Sequence, residues 1–162
     1  MTPISELIDR INNHTYIVDQ WLLDALEEEY QKGSYSNRNN VEALALEFTL
    51  YKAGGFKRPK TWRHDLQLSD SIFVDLKRRP KWSDNISLSA KGRLEESYEK
   101  GLLTHIVGYT QNIESDYKIG DILKFNVDGF LPVMEALNES QTKMRSYKLL
   151  NKKRLQTLEN VL

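Results

Sequence analysis

Two aspartates and a lysine near the middle of the chain have the spacing of a metal-assisted hydrolytic site. Residues 61–79 read as a β-hairpin. Leu66 and Leu68 alternate with polar neighbours, Ser69-Asp70-Ser71 turns the chain, and Ile72-Phe73-Val74-Asp75-Leu76-Lys77 is rich in β-formers. Alternate residues of a strand share a face, so Asp75 and Lys77 point one way with Phe73, and Ile72, Val74 and Leu76 the other. With a three-residue loop over Ser69 to Ser71, Leu68 opposes Ile72, Gln67 opposes Phe73, Leu66 opposes Val74 and Asp65 opposes Asp75. Directly opposed like charges destabilise a sheet. A divalent cation reverses the sign of that interaction, and a pair of hard carboxylate oxygens suits Mg²⁺ or Mn²⁺. A two-residue loop would break this pairing.

Glu47 and Lys77 extend the constellation. On a helix over Val41 to Ala53, Glu47 falls in an apolar arc with Ala43, Leu44 and Tyr51, where a carboxylate is costly without a partner. Either the side chain snorkels to the domain edge, or it reaches the hairpin carboxylates. An ammonium at Lys77 would favour deprotonation of an attacking water and stabilise a pentavalent phosphate. The triplet acid-x-Lys is not informative by itself. In a chain with 23 acids and 14 lysines, chance supplies about two. Two occur, Asp75-Leu76-Lys77 and Asp116-Tyr117-Lys118. Only the first lies in an apolar strand, ten residues after another aspartate; the second reads as a solvated loop.

Other chemistries are excluded. Zero Cys removes disulfides, thiolate catalysis and Cys-ligated metals. No Gly-rich phosphate loop, no G-x-G-x-x-G and no G-x-S-x-G elbow is present. His14, His64 and His105 lie far apart and form no i, i+4 pair, against a His-based zinc site. No window approaches the roughly 18 apolar residues of a membrane span. The first residues lack the basic and apolar regions of a signal peptide, so the expected location is the cytoplasm, bacterial or of a phage-infected host.

The elements that must position these residues follow from periodicity and punctuation. Thr2 and Pro3 start a helix over residues 3–12. A second helix is expected over Tyr16 to Lys32, closed by Gly33, and a third over Val41 to Ala53, stopped by Gly54-Gly55. After the hairpin come a helix from Ser89 to Lys100 and a strand from Thr104 to Thr110. A strand from Ile122 to Val127 is turned by Asp128-Gly129 into Phe130 to Met134. Gln141 to Leu162 reads as a basic amphipathic helix on a stripe of Tyr147, Leu150, Leu155 and Leu158. The order predicts an α/β domain with a mixed central β-sheet flanked by helices, extra N-terminal helices and a C-terminal amphipathic helix. The expected parts of this one compact domain are an N-terminal helical segment (1–40), an α/β core (41–138) and the C-terminal helix (139–162).

The charge balance sharpens the partner class. The 162 residues carry 23 basic and 23 acidic side chains, a net charge of zero. The sum hides segregation: −6 over residues 1–50, +5 over 51–100, −4 over 101–140 and +5 over 141–162. Screening over about 8 to 10 Å makes the local blocks, not the sum, what a polyanion meets. Nucleic acid is therefore compatible.

In these residues the chain resembles the PD-(D/E)xK nuclease superfamily, whose pattern is a helix bearing an acid, a hairpin with Asp on one strand and (D/E)-x-K on the next, then a helix and a strand. Glu47, Asp65, Asp75 and Lys77 occur in that order, and the match covers about residues 41–111. His64 stands where the family often has Pro, and Gly54 to Asp65 is short for the family's first core strand. The resemblance implies a restriction-endonuclease-like core and a small phage-like, resolvase or restriction-type endonuclease, a Mg²⁺-dependent hydrolase of DNA phosphodiesters working as a homodimer. Asp65 and Asp75 would hold one or two Mg²⁺ ions, with Mn²⁺ as substitute and the carbonyl of Leu76 a further ligand. Glu47 would hold a second ion or orient water, and Lys77 would activate the nucleophile or stabilise developing charge. Lys57, Arg58, Lys60, Arg63, Arg78, Arg79 and Lys81 would contact flanking phosphates, with Gln111 a further contact. Trp62 and Trp82 are expected in the core or as hairpin caps, or else stacked on bases. The acidic N-terminal helices would face a second subunit. Two alternatives remain: a non-catalytic nucleic-acid-binding or assembly protein with a degenerate nuclease-like core, and a purely structural interaction domain.

Overall fold

The computed structural model describes residues 2–31, 43–61, 63–89, 91–111, 115–139, 141–144 and 147–158. The chain forms α1 (Pro3–Asn13), β1 (Thr15–Ile17), α2 (Gln20–Gln31), α3 (Ala45–Ala53), β2 (Leu66–Ser69), β3 (Ile72–Arg78), β4 (Asn85–Ser89), α4 (Lys91–Glu99), β5 (His105–Gln111), β6 (Ile122–Pro132), α5 (Val133–Glu139), β7 (Gln141–Met144), β8 (Tyr147–Asn151) and a 3₁₀ turn (Lys152–Arg154). Five strands make a curled mixed sheet in the order β1-β6-β5-β3-β2, and three make a second sheet in the order β4-β8-β7. The α/β class and the helix-flanked mixed sheet agree with the sequence reading. No helix among the described residues is long and apolar enough to cross a membrane.

The central strands separate two cores because side chains alternate across a sheet. On β5, Val107 and Tyr109 face a core built with α1, α2 and α3. Ile106 faces a second core built from β4, α4, α5 and β8. Gly108 shares that second face: a Cβ there would lie 2.4 Å from Ile86 Cδ1. On β3, Val74 and Leu76 enter the first core, as the alternation predicts. Helix α1 begins as expected, with Thr2 Oγ1 accepting from the Ser5 N–H at 3.1 Å.

Several elements differ from expectation. Residues 15–17 are a strand paired with β6, and α2 starts only at Gln20; the β-branched Thr15 and Ile17 win over the helical periodicity. Val41 and Glu42, the expected start of α3, lie outside the described residues. Residues 85–89 are a strand, so the helix expected from Ser89 begins at Lys91. Asp128-Gly129 is not a turn. Strand β6 runs through it with a register shift against Gly108 and Tyr109. The extra residue inverts the alternation: Leu123 and Phe125 face the first core before the shift and Phe130 after it.

The largest correction is at the C-terminus, where the basic helix over 141–162 is not formed. Residues 141–144 and 147–151 make the β7–β8 hairpin, which pairs with β4. Gln156 then exchanges backbone hydrogen bonds with Phe130, at 2.9 and 2.8 Å. The leucine stripe is shared out, Leu150 and Leu155 to the second core and Leu158 to the margin of the first.

Candidate functional site

The hairpin places both aspartates, by a route different from the expected three-residue loop. The turn is the two residues Asp70-Ser71, and Ser69 rather than Leu68 pairs with Ile72. A bulge at Leu68 absorbs the extra residue, so Gln67 still opposes Phe73 and Leu66 still opposes Val74. Asp65 then enters at the level of Asp75, its N–H donating to Val74 O at 2.8 Å. Because β2 starts at Leu66, the second half of β3 has no strand beside it on that side among the described residues. Asp65 Oδ2 accepts the Leu76 N–H at 2.7 Å and so caps this open edge.

Helix α3 brings the third carboxyl. Glu47 sits in its first turn, 9% exposed, and hydrogen-bonds to the Asp65 carboxyl, which in turn bonds to that of Asp75. Two tyrosines fix the helix. Tyr109 donates its hydroxyl to Ala43 O just before α3, and Tyr51 donates from α3 to Asp65 O, each at 2.9 Å. Lys77 Nζ lies 3.0 Å from Asp75 Oδ2. The four residues expected to act together are together.

Electrostatics follow from burial. Desolvation pushes all three carboxyls up, Glu47 above its ordinary value, Asp65 well above its own and Asp75 from 3.8 to about 7; Lys77 opposes it at each. Asp75 holds the Lys77 ammonium above its ordinary pKa. As placed, these oxygens face one another, the Leu76 N–H and Lys77. Among the described residues no group of three or more His, Asp or Glu side chains is arranged as a metal-ligand shell. The donor chemistry, three crowded carboxyls, fits a hard divalent cation; ligation would require those carboxyls to turn.

A cleft of about 380 Å³ opens on this cluster. One wall is Ala43, Leu44 and Glu47; the other is Ser87 and Ser89 of β4 with Arg93 and Ser97 of α4; Asp75 and Lys77 lie between. Arg63 and Arg78 line it as well, Arg63 donating to Ser97 Oγ and Glu96 Oε1, both at 3.1 Å. Arg93 and the three serines were not anticipated. Arg93 gives no motif signal, and the sequence of β4 reads as loop and the start of a helix.

The remaining phosphate-contact candidates divide. Lys57, Lys60 and Lys81 are exposed. Arg58 pairs with Glu29 and covers Phe48, so part of the acidic helix faces this chain's own basic block. Arg79 is corrected: it is 9% exposed, holds both Asp128 oxygens at 2.6 and 3.2 Å, and donates to Pro80 O and Ser83 O. Gln111 lies outside the cleft lining and accepts from the Tyr117 hydroxyl at 2.8 Å. His64 is buried, its Nδ1 2.8 Å from Leu102 O and its ring edge-on to Phe73. Trp62 lies outside the described residues. Trp82, expected in the core, as a hairpin cap or else stacked on bases, is 87% exposed.

No protein-family model, no curated protein and no solved structure matches this chain.

Proposed function

We propose that this protein is a Mg²⁺-dependent endonuclease of the PD-(D/E)xK type that hydrolyses DNA phosphodiesters. The observation that carries the reading is the convergence of Glu47, Asp65, Asp75 and Lys77 on the open edge of β3, at the floor of a cleft bordered by arginines. The succession of α3, the β2–β3 hairpin, α4 and β5 parallel to β3 supports it, since it is the order of that superfamily's pattern.

In this reading Asp65 and Asp75, with Glu47, hold the divalent ion, which supplies Lewis acidity at the phosphoryl oxygen. Asp65 is fixed by the Leu76 N–H and through its own backbone by Tyr51. Lys77 places a positive charge beside the attacked phosphorus, where negative charge accumulates as water adds and the bond to the leaving oxygen breaks. Arg63, Arg78 and Arg93 hold neighbouring phosphates along the cleft.

The test is incubation of the protein with supercoiled, linear and branched DNA in Mg²⁺ or Mn²⁺. The expected result is strand cleavage that chelation abolishes and Asp75→Asn reduces at least 10²-fold. Cleavage by Asp75→Asn at the wild-type rate overturns the reading. The inward-facing carboxyls favour one competitor, a DNA-binding protein with a silent core. It predicts no response of thermal stability to Mn²⁺.

A further inference from the structure

The turn joining β3 and β4, two strands that line the cleft, is built to hold out an aromatic ring. Strand β3 ends at Arg78 and β4 begins at Asn85. Between them Ser83 N donates to Pro80 O at 3.1 Å, closing a turn with Lys81 and Trp82 at its tip. Trp82 is 87% exposed, against 42% for Trp21, the next most exposed Trp described. Trp21 is sheltered by Lys52 over its ring and by Phe48 at its edge.

The tip is exposed while its base is fixed. Arg79 clamps it from below, with Nη1 on Ser83 O at 2.7 Å and on Pro80 O at 3.3 Å, and the rest of the guanidinium on Asp128. Its own N–H donates to Tyr109 O at 2.7 Å. The exit is fixed too: Asn85 N donates to Ser83 Oγ at 3.1 Å and Lys152 N to Asp84 O at 2.8 Å. A partly buried charge pair and a second strand hold the turn, so the backbone beneath the indole has little conformational entropy left to lose on contact.

The same anchoring joins the two basic blocks. The backbone bond from Lys152 to Asp84 and the ion pair between the same residues at 3.5 Å bring Lys152, Lys153 and Arg154 to the turn that carries Lys81. An exposed indole flanked by cations matches a polyanion that also offers flat apolar faces, which is nucleic acid with accessible bases. Trp82 is five residues beyond Lys77, at most about 17 Å of extended chain, so a ring stacked there is within a few nucleotides of the scissile position.

We propose that Trp82 is a base-stacking contact, seating an unpaired nucleobase at the β3–β4 turn while Lys81 and the Lys152–Arg154 turn hold its phosphates. The protein then prefers single-stranded, branched or flapped DNA to continuous duplex. This rests on the nuclease reading only in taking DNA as the partner; it does not require cleavage.

The experiment measures binding in chelator, with tryptophan emission and anisotropy, for a single-stranded oligonucleotide, a branched junction and a relaxed closed circular duplex. The expected result is that Trp82→Ala binds the first two about tenfold more weakly and loses most of the emission quench, while circular-duplex binding changes less than twofold. Trp82→Phe should stay within about threefold of wild type on all three. Unchanged affinity in Trp82→Ala, or an equal loss on all three ligands, overturns the proposal. So does a change confined to self-association, which would make the ring a protein contact. Quench and discrimination without any cleavage in Mg²⁺ would sink the nuclease reading alone. Cleavage with indifferent Trp82→Ala binding would sink the stacking contact alone.

Discussion

The Lys77 ammonium lies 3.0 Å from Asp75 Oδ2, two residues away on the same face of β3. Its charge stabilises the ionised form of each of the buried carboxyls of Glu47, Asp65 and Asp75. Lys77→Met removes that charge and keeps much of the volume. DNA cleavage in Mg²⁺ should fall by about 10² to 10³-fold, measured as single-turnover rates on the best-cut substrate. Lys77→Arg should recover part of the loss, because the charge remains.

Stability should depend on pH and on divalent cations in a linked way. The Asp75 carboxyl titrates at 3.8 when unfolded and at about 7 when folded. A carboxyl with a raised folded pKa favours the folded state fully only below its unfolded value, and that contribution is lost as pH rises through the folded one. His105 works oppositely: burial lowers its pKa below 6.5, so its contribution grows as pH rises to that value and is constant above it. The diagnostic window is therefore pH 6.5 to 8. The thermal midpoint should fall across it in chelator, and Mg²⁺ or Mn²⁺ should restore it. Asp75→Asn should make the slope shallower, the raised carboxyls of Glu47 and Asp65 keeping the remainder, and should weaken the cation response.

Much of the site was legible because short motifs depend on local alternation. Leu66 and Val74 had to share the buried face, and with the bulge at Leu68 that pairing sets Asp65 beside Asp75 across a two-residue turn. The bulge at Leu68 was illegible, since Leu68 alternates as well as Leu66 does; the two-residue turn forces the shift, and only the buried Leu66–Val74 pair resists it. The C-terminal helix failed for a related reason. Tyr147, Leu150, Leu155 and Leu158 satisfy a helical stripe, but the edge of β4 offers backbone partners and the second core needs Leu150 and Leu155 from one side. Tertiary pairing overrides a stripe of four residues. The Asp128-Gly129 dipeptide has the composition of a tight turn, whereas here glycine is needed for approach: a Cβ on Gly129 would lie 2.4 Å from Gln156 O.

That approach gives a stability prediction. Gly129→Ala sets its methyl against the Gln156 carbonyl and Leu155 Cβ, the latter at 2.8 Å. The C-terminal segment must shift, breaking the two backbone bonds between Phe130 and Gln156. Urea denaturation should show a loss of about 1 to 3 kcal/mol. Hydrogen exchange should report the loss first at Gln156 and at the β8 amides.

The tyrosines that position α3 should separate alignment from folding. Tyr51→Phe removes one hydroxyl bond, to Asp65 O, and Tyr109→Phe removes another, to Ala43 O. Each should cost about 1 kcal/mol of stability, leaving the protein folded. Both bonds hold the elements that carry the acids, so the cation response should weaken as well. Mn²⁺ titration by calorimetry should give a dissociation constant several-fold higher in either variant. A stability loss of that size with unchanged Mn²⁺ affinity would show that the hydroxyls serve packing alone.

The ion pair of Arg79 with Asp128 makes the opposite distinction. Both partners are largely covered, and Arg79 also holds the carbonyls of Pro80 and Ser83. Arg79→Ala leaves the Asp128 carboxylate without its partner and the Trp82 turn without its clamp, and should cost about 3 kcal/mol in urea denaturation. Trp82→Ala, acting on an indole that is 87% exposed, should change stability by no more than about 0.5 kcal/mol. If Arg79 were a phosphate contact, as the sequence alone suggests, the order would reverse: Arg79→Ala would leave the urea midpoint in place and act only on DNA affinity and its salt slope.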